Sequence, residues 1–440
     1  MNVSLRRTGL LSVLIALFFL SGCSNTIDSW EHEANNEQYA YGAKPSLSHS
    51  LGYAISIHEV GAFFINGSYQ LCYFDYEAEE QYILCSSPNC THISSSCVAY
   101  AGGSATGFAM YGGNGYYIRQ RSDSNEWEIV EVDISSQTTR IVCVFGDAGD
   151  EINDWIIHTI GDVYYHGGKA WLSLGLFYNA AEETGWSDNG YQLIAVDLNS
   201  GEVTELTEPL MITRDVDLLT YSYFGEEYVG FYQLYYPTPL LSAKDYIDQF
   251  GNSVMENGSY NDYLDNYFDN EERNARYQLV QLNTMDTITI SDDVYTEPQG
   301  FAWEKNGKVV MWQYDSENRN ERFIEVDLSN REYDEVMLIS NGGRLAWWQG
   351  AGGSSCLYNG DSVLYLHYID NNRYEIGKYS INTGGSIRLF EIPRDDLFQI
   401  IGQTTDKLVG LVDDNSQYAW IYKSDYENGE LSALHRFSIR

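Results

Sequence analysis

Trp127-Glu-Ile-Val-Glu-Val-Asp133 and Tyr191-Gln-Leu-Ile-Ala-Val-Asp197 share one pattern: an aromatic start, alternating apolar positions and a closing Asp. Alternation with period two marks a half-buried strand. An Asp at the strand's end can accept the backbone N–H groups of the turn that follows, which accounts for it without any catalysis. The pattern recurs as Tyr69-Gln-Leu-Cys-Tyr-Phe-Asp75, Tyr277-Gln-Leu-Val-Gln-Leu-Asn283 and Glu321-Arg-Phe-Ile-Glu-Val-Asp327. Weaker copies are Tyr374-Glu-Ile-Gly-Lys-Tyr-Ser380 and Ala419-Trp-Ile-Tyr-Lys-Ser-Asp425. The closing positions stand 58, 64, 86, 44, 53 and 45 residues apart, the shorter intervals matching the roughly 40–50 residues of a four-stranded unit.

Two further strand-like runs precede the copies. They are Thr106 to Tyr111 and Gly115 to Arg119 before the second, and Gly300 to Trp303 and Lys308 to Gln313 before the fifth. Before the sixth they are Arg344 to Trp348 and Ser362 to Tyr368. Four short strands per unit at this spacing predict propeller blades. The expected fold is all-β: a seven-bladed β-propeller over residues 51–440, with six or eight the neighbouring counts. Regular recurrence along the whole chain disfavours two separate sandwiches. A strand at Gly52 to Ile57 and another near Leu431 to Ser438 leave two closures open. Either the last blade packs on the first through side chains, or the N-terminal strand pairs with the last blade.

Composition agrees with a folded β domain. Hydrophobic residues make up 44% and charged residues 20%, enough apolar material for a core and too little charge for a disordered chain. There are 37 Tyr, 17 Phe and 39 Gly against 7 Pro, which suits aromatic strands joined by tight turns. Asp and Glu number 63 against 25 Lys and Arg, for a net charge of −38. Such a surface repels phosphate backbones, so no nucleic-acid partner is expected.

The first residues carry an address. Arg6 and Arg7 precede an apolar run from Leu10 to Leu20, and Leu20-Ser21-Gly22-Cys23 closes the segment. The run is short for a spanning helix and right for a secretory signal. It resembles a bacterial lipoprotein signal peptide, with Leu20-Ser21-Gly22-Cys23 matching the lipobox. That resemblance implies cleavage after residue 22 and a diacylglyceryl group on Cys23. Residues 23–50 would form a polar tether, and the domain would stand on the extracytoplasmic face of the cell membrane, held through its lipid only. Lys44 is the one Lys or Arg of the tether, too little to hold anionic lipid by charge.

The whole-chain pattern is similar to the Tyr- and Asp-rich extracytoplasmic β-propeller lipoproteins of bacteria, some of them likened to the propeller of low-density-lipoprotein-receptor-related proteins. The resemblance covers about residues 50–440 and implies a binding or scaffolding domain. No catalytic residue carries over, because none can be matched.

Six cysteines follow the lipidated one, three of them in Cys85-Ser-Ser-Pro-Asn-Cys90-Thr-His92-Ile-Ser-Ser-Ser-Cys97. The Cys-x4-Cys-x-His-x4-Cys spacing also resembles a segment of the lipoproteins just named. Three thiolates and one imidazole suit tetrahedral zinc, which makes Cys85, Cys90, His92 and Cys97 candidate ligands. Disulfides are the alternative, since the expected compartment permits them. A hairpin turning near Ala78-Glu79 would face Cys72 with Cys85 and leave Cys90 to pair with Cys97. Free thiols are the third reading.

Pro237 to Arg276 reads as an insertion within the fourth unit. Ser242-Ala-Lys-Asp245 caps one short helix, and Tyr260, Tyr263, Leu264, Tyr267 and Phe268 stand at helical spacing in a second. Its acids Asp262, Asp265 and Asp269 fall on the other side, as a solvated face would. In a propeller, outer-to-inner connections and second-to-third-strand loops open on one face. The Cys segment, this insertion and a smaller excursion at Asn179 to Asn189 would therefore rim one mouth of the channel. Trp186, Tyr235 and Tyr236 are candidate stacking platforms there for sugar or peptide.

The sequence holds no Gly-x-Ser-x-Gly, His-Glu-x-x-His or phosphate-loop motif. The expected role is a lipid-anchored binding or scaffold module for a carbohydrate, a peptide or an envelope protein. The rival is a polysaccharide hydrolase or lyase with paired carboxylates at the channel mouth, for which Asp147, Asp150, Glu151 and Asp154 are the nearest cluster.

Overall fold

The computed structural model describes residues 55–439, except 125, 147–154, 179–187, 213–218, 239, 252–258, 295–298, 306, 316–317, 319, 331, 340–342, 346–356, 371 and 413–416. The strands form seven antiparallel sheets, each built from consecutive segments: residues 55–83, 106–145, 155–212, 219–294, 299–339, 343–393 and 399–437. These are seven blades, numbered 1 to 7 in chain order. Each runs from an inner strand to an outer one. Blade 3 carries an extra strand, Leu210–Ile212, beside its third. In blade 6 the inner position is shared by Gly343–Leu345 and Leu357–Tyr358.

Period-two alternation gives every blade two apolar faces, and each face packs on a neighbouring blade. Phe63 enters the seam between blades 1 and 2 while its neighbour Phe64 enters the seam between blades 7 and 1. Tyr164 and Tyr165 divide in the same way between the two seams of blade 3. Seven seams hold seven apolar clusters. Complete burial of one such aromatic side chain is worth roughly 2–3 kcal/mol, so the aromatic enrichment of the sequence is mostly seam packing.

The ring closes through side chains. Ile55–Ile57 pairs inside blade 1, and His435–Phe437 completes blade 7. Phe74 stacks on Phe437 at 4.4 Å, and Val409, Leu411 and Trp420 pack with Phe64 and Tyr76. His435 Nδ1 lies 2.6 Å from Glu79 Oε1, and Lys407 Nζ donates to the Glu59 carbonyl at 3.3 Å.

The repeated heptamers are the third strands. Lys169 faces Asp197 and Lys308 faces Asp327 across the second-to-third ladder, and Gly61 faces Asp75. Two copies shift. The equivalent position is Gln281 in blade 4 and Tyr422 in blade 7, since these residues face Tyr228 and Lys407. In blade 7 the chain turns into a helix at Lys423–Glu427, so Asp425 is not a strand terminus.

Where the Asp is present it caps the turn. Asp75 Oδ1 accepts from the Glu77 and Ala78 amides at 2.9 Å, and Asp197 Oδ1 from Asn199 and Ser200 at 3.0 and 2.9 Å. The Ser200 N–H, with help from Lys169, holds the Asp197 carboxyl at about 2. Its contribution is therefore complete above the unfolded-chain value of about 4 and is lost as pH falls toward about 2. Asp197→Ala is expected to cost about 1 kcal/mol at neutral pH. In urea unfolding, the gap between wild type and Asp197→Asn should shrink from pH 5 to pH 2.5. A constant gap would show that the charge is not what the turn uses.

Candidate metal centre

The connection from the outer strand of blade 1, Glu80–Ile83, to the inner strand of blade 2, Thr106–Tyr111, gathers four potential ligands. One donor atom from each of Cys85, Cys90, His92 and Cys97 lies within 4.8 Å of the others. Sulfur atoms at an ideal zinc tetrahedron stand about 3.8 Å apart, from Zn–S bonds of about 2.3 Å. The donor set is of the kind that closes structural zinc sites, and its spread is close to what a single ion needs. His92 Nδ1 is 3.4 Å from Cys97 Sγ.

The backbone makes this gathering possible. Asn89 and His92 adopt left-handed conformations, with φ of 63° and 57°, which double the chain back between the cysteines. The Cys90 amide bonds the Ser87 carbonyl, and that of Cys97 bonds Ser94. The connection is also tied to both blades it joins. Leu71 N donates to Ala99 at 2.7 Å, Ala101 N donates to Tyr69 at 2.9 Å, and Ser86 N reaches Gln137 Oε1 of blade 2 at 3.1 Å.

The candidate ligands differ in setting. Cys97 is buried under the seam, and burial pushes its thiol up to about 12. Cys90 is less covered, and the His92 backbone N–H lowers its thiol below the usual range.

The pairing of Cys72 with Cys85 does not form. Cys72 faces Ile83 in the hairpin register, two residues short of Cys85. Its side chain points into the seam with blade 7, whereas Cys85, Cys90 and Cys97 pack toward blade 2. Cys72 instead receives a weak bond from Gln81 Nε2 at 3.7 Å, and burial raises its thiol to about 12. No S–S bond joins Cys90 to Cys97 in this structure, nor does Cys143 form one. Cys356 lies outside the described residues.

The insertion of blade 4 contains two helices, α1 (Ala243–Phe250) and α2 (Ser259–Asn270). Ser242 caps α1 by accepting from Asp245 N at 3.0 Å. Tyr246 and Tyr260 are buried together beside Tyr263 and Leu264, and Asp262, Asp265 and Asp269 are exposed. The insertion joins the second strand of blade 4 to the third, so alternation of strand direction puts it on the face that carries the Cys connection.

Tyr235 and Tyr236 sit at its base and are engaged by the protein itself. Arg276 covers the Tyr235 ring at 4.6 Å and donates to its hydroxyl at 2.9 Å, and that hydroxyl also bonds Asp292. Tyr236 packs against Tyr267 and Phe268 of α2 at 5.2 and 5.3 Å. Trp186 and the cluster Asp147, Asp150, Glu151 and Asp154 lie outside the described residues, as do Cys23 and the signal segment. Among the described residues no helix is long and apolar enough to cross a membrane.

Sequence reasoning missed the polar layer behind the candidate ligands. Gln70 Nε2 donates to the His92 carbonyl at 3.0 Å, and Asn66 Nδ2 donates to Gln70 Oε1 at 2.9 Å. Gln70 is the second residue of its heptamer, as Gln192 is in blade 3, so nothing in the pattern distinguishes it.

No protein-family model and no curated protein sequence matches the chain. Solved structures are similar to it over most of its length. An oligogalacturonate lyase in complex with manganese is 11% identical with a TM-score of 0.39, covering 82% of each chain. TolB from Acinetobacter baumannii is 10% identical with a TM-score of 0.33, over 86% of this chain and 77% of its own. A putative 6-phosphogluconolactonase from Bacteroides fragilis is 9% identical with a TM-score of 0.39, over 90% and 96%. At these identities the likeness is one of fold alone.

Proposed function

We propose that this chain is a lipid-anchored, extracytoplasmic propeller that serves as a binding or scaffold module and carries one structural zinc. Cys23 would bear the lipid, residues 23–50 would be the tether, and Cys85, Cys90, His92 and Cys97 would hold the metal. The observation that carries this reading is the convergence of the four side chains on one connection. Zinc there would join the segments of that connection to each other, a role that needs no open coordination position. The ligand would be a carbohydrate, a peptide or another envelope protein. It would meet the face shared by the Cys connection and the helical insertion, with Trp186, Tyr235 and Tyr236 at hand. Blade packing does not need the two helices, so their presence argues for a use outside the ring.

The test replaces residues 237–273 by a short Asn-Gly turn in the intact ectodomain. The circular dichroism and cooperative unfolding of the propeller should persist. Binding to whichever envelope polysaccharide fragment or peptide the unaltered chain captures should fall at least tenfold. Equal capture by both chains would remove the insertion from the binding face.

A further inference from the structure

We infer that Asn66 and Gln70 are the positioning residues of the metal centre. They form an outer polar shell that holds the ligand segment in its binding shape through the backbone of His92. This deepens the zinc reading above and rests on it.

Both side chains are buried, at 9% and 8% exposure, between the turn of blade 1 and the Cys connection. Buried amides persist where their hydrogen bonds are made, and here the bonds form a directed chain. Asn66 Oδ1 accepts from the Ser68 and Gln70 amides at 3.0 and 2.9 Å, which fixes the turn between the second and third strands of blade 1. Asn66 Nδ2 then fixes which way the Gln70 carboxamide points. Gln70 is left with its donor side toward the His92 carbonyl. His92 is the ligand that most needs such a hold, because its φ of 57° is a conformation that L-residues adopt at a cost. Outer-shell partners of this kind orient a ligand and typically account for about 10–100-fold in metal affinity.

Blade 3 supplies the internal comparison. Gln192 occupies the same heptamer position, is buried to the same degree, and donates at 3.0 Å to the Thr207 carbonyl, in the break between the two outer segments of blade 3, Val203–Glu205 and Leu210–Ile212. No metal-ligating group gathers around Thr207 among the described residues. A glutamine at this position thus clamps irregular backbone at the outer edge of its own blade in blade 3, and in blade 1 the clamped residue is a candidate ligand.

The experiment measures zinc affinity by competition with a chromogenic chelator, and the Co(II) ligand-field spectrum, on the intact ectodomain. The chains are wild type, Gln70→Glu, Asn66→Asp and Gln192→Glu. Gln70→Glu still accepts from Asn66 but sets a carboxylate oxygen against the His92 carbonyl. Asn66→Asp keeps the turn and loses only the donor to Gln70. Gln70→Glu should weaken zinc by about 10–100-fold with the tetrahedral Co(II) bands retained. Asn66→Asp should weaken it by a smaller factor, and Gln192→Glu should bind as wild type. If Gln70→Glu does not fold, Asn66→Asp carries the comparison. Wild-type affinity in both blade 1 variants would overturn the assignment, and so would equal weakening in Gln192→Glu, which would mark general loosening. A wild-type chain that binds no zinc would overturn the metal reading itself, and this inference with it.

Discussion

Stripping zinc from the folded propeller is expected to loosen blade 1 ahead of the other six. Blade 1 is tied covalently into the ring on one side only, through residues 84–105, and on the other side it is held by contacts between side chains. The candidate ligands lie within that one tie. Zinc at a thousandfold excess over its dissociation constant would stabilise the folded chain by about 4 kcal/mol, and removing it should lower the local opening energy at the connection first. Hydrogen exchange should then accelerate at the amides of Leu71, Leu84, Cys97 and Ala101, whose acceptors lie in the connection or the adjoining hairpin. Amides in the ladders of blades 3 to 6 should be unchanged. Cys97→Ser should reproduce the pattern without a chelator. Acceleration spread evenly around the ring would mean that the metal acts on global stability and not on the blade 1 junction.

The second large effect concerns closure. Phe437→Ala should destabilise the propeller by about 3–5 kcal/mol, the usual range for truncating a buried Phe. Phe437 is buried against Phe74 at 4.4 Å, Tyr418 at 5.5 Å and Tyr76 at 6.2 Å, and no strand pairing joins blade 7 to blade 1 among the described residues. Phe74→Ala removes the other half of the same stack. The double variant should therefore cost less than the two single costs added, by about 1 kcal/mol. Urea unfolding of the four chains measures this. Strict additivity would show that the two rings do not depend on each other and that the seam is held elsewhere, for example by Lys407 with Glu59.

The blades were legible because their cause is local. Period-two alternation and an Asp that caps its own turn are written within seven residues, and Asp75, Asp133, Asp197 and Asp327 all act as strand ends. Blades 4 and 7 shifted where that local signal weakened. Asn283 and Asp425 have the chemistry of a terminus, but the ladder set by Tyr228 and Lys407 ends the strands at Gln281 and Tyr422. Register is decided by the partner strand, which a single segment does not contain.

The gathering of Cys85, Cys90, His92 and Cys97 was legible because Cys and His at close spacing have few other uses. What spacing does not hold is direction. Cys72 and Cys85 belong to one hairpin, yet their side chains leave blade 1 by opposite faces. Gln70 and Asn66 were invisible for a related reason: a buried glutamine at the second heptamer position is a clamp in blade 3 as well, and only the fold shows what it clamps. Tyr235 and Tyr236 illustrate the reverse. Aromatics beside an insertion suggest a platform, and the structure shows both half-buried with a partner each, Arg276 for one and α2 for the other.

Intact mass measurement of the purified propeller, native and denatured, with thiol alkylation before and after denaturation, tests the proposed metal centre most directly. A zinc-stapled blade 1 predicts one zinc per chain in the native ion, lost on denaturation. It also predicts that Cys85, Cys90 and Cys97 resist alkylation until the metal leaves and react fully afterwards. A metal-free native ion whose mass is lower by two hydrogens, with Cys90 and Cys97 unreactive even when denatured, would contradict it and make that pair a disulfide.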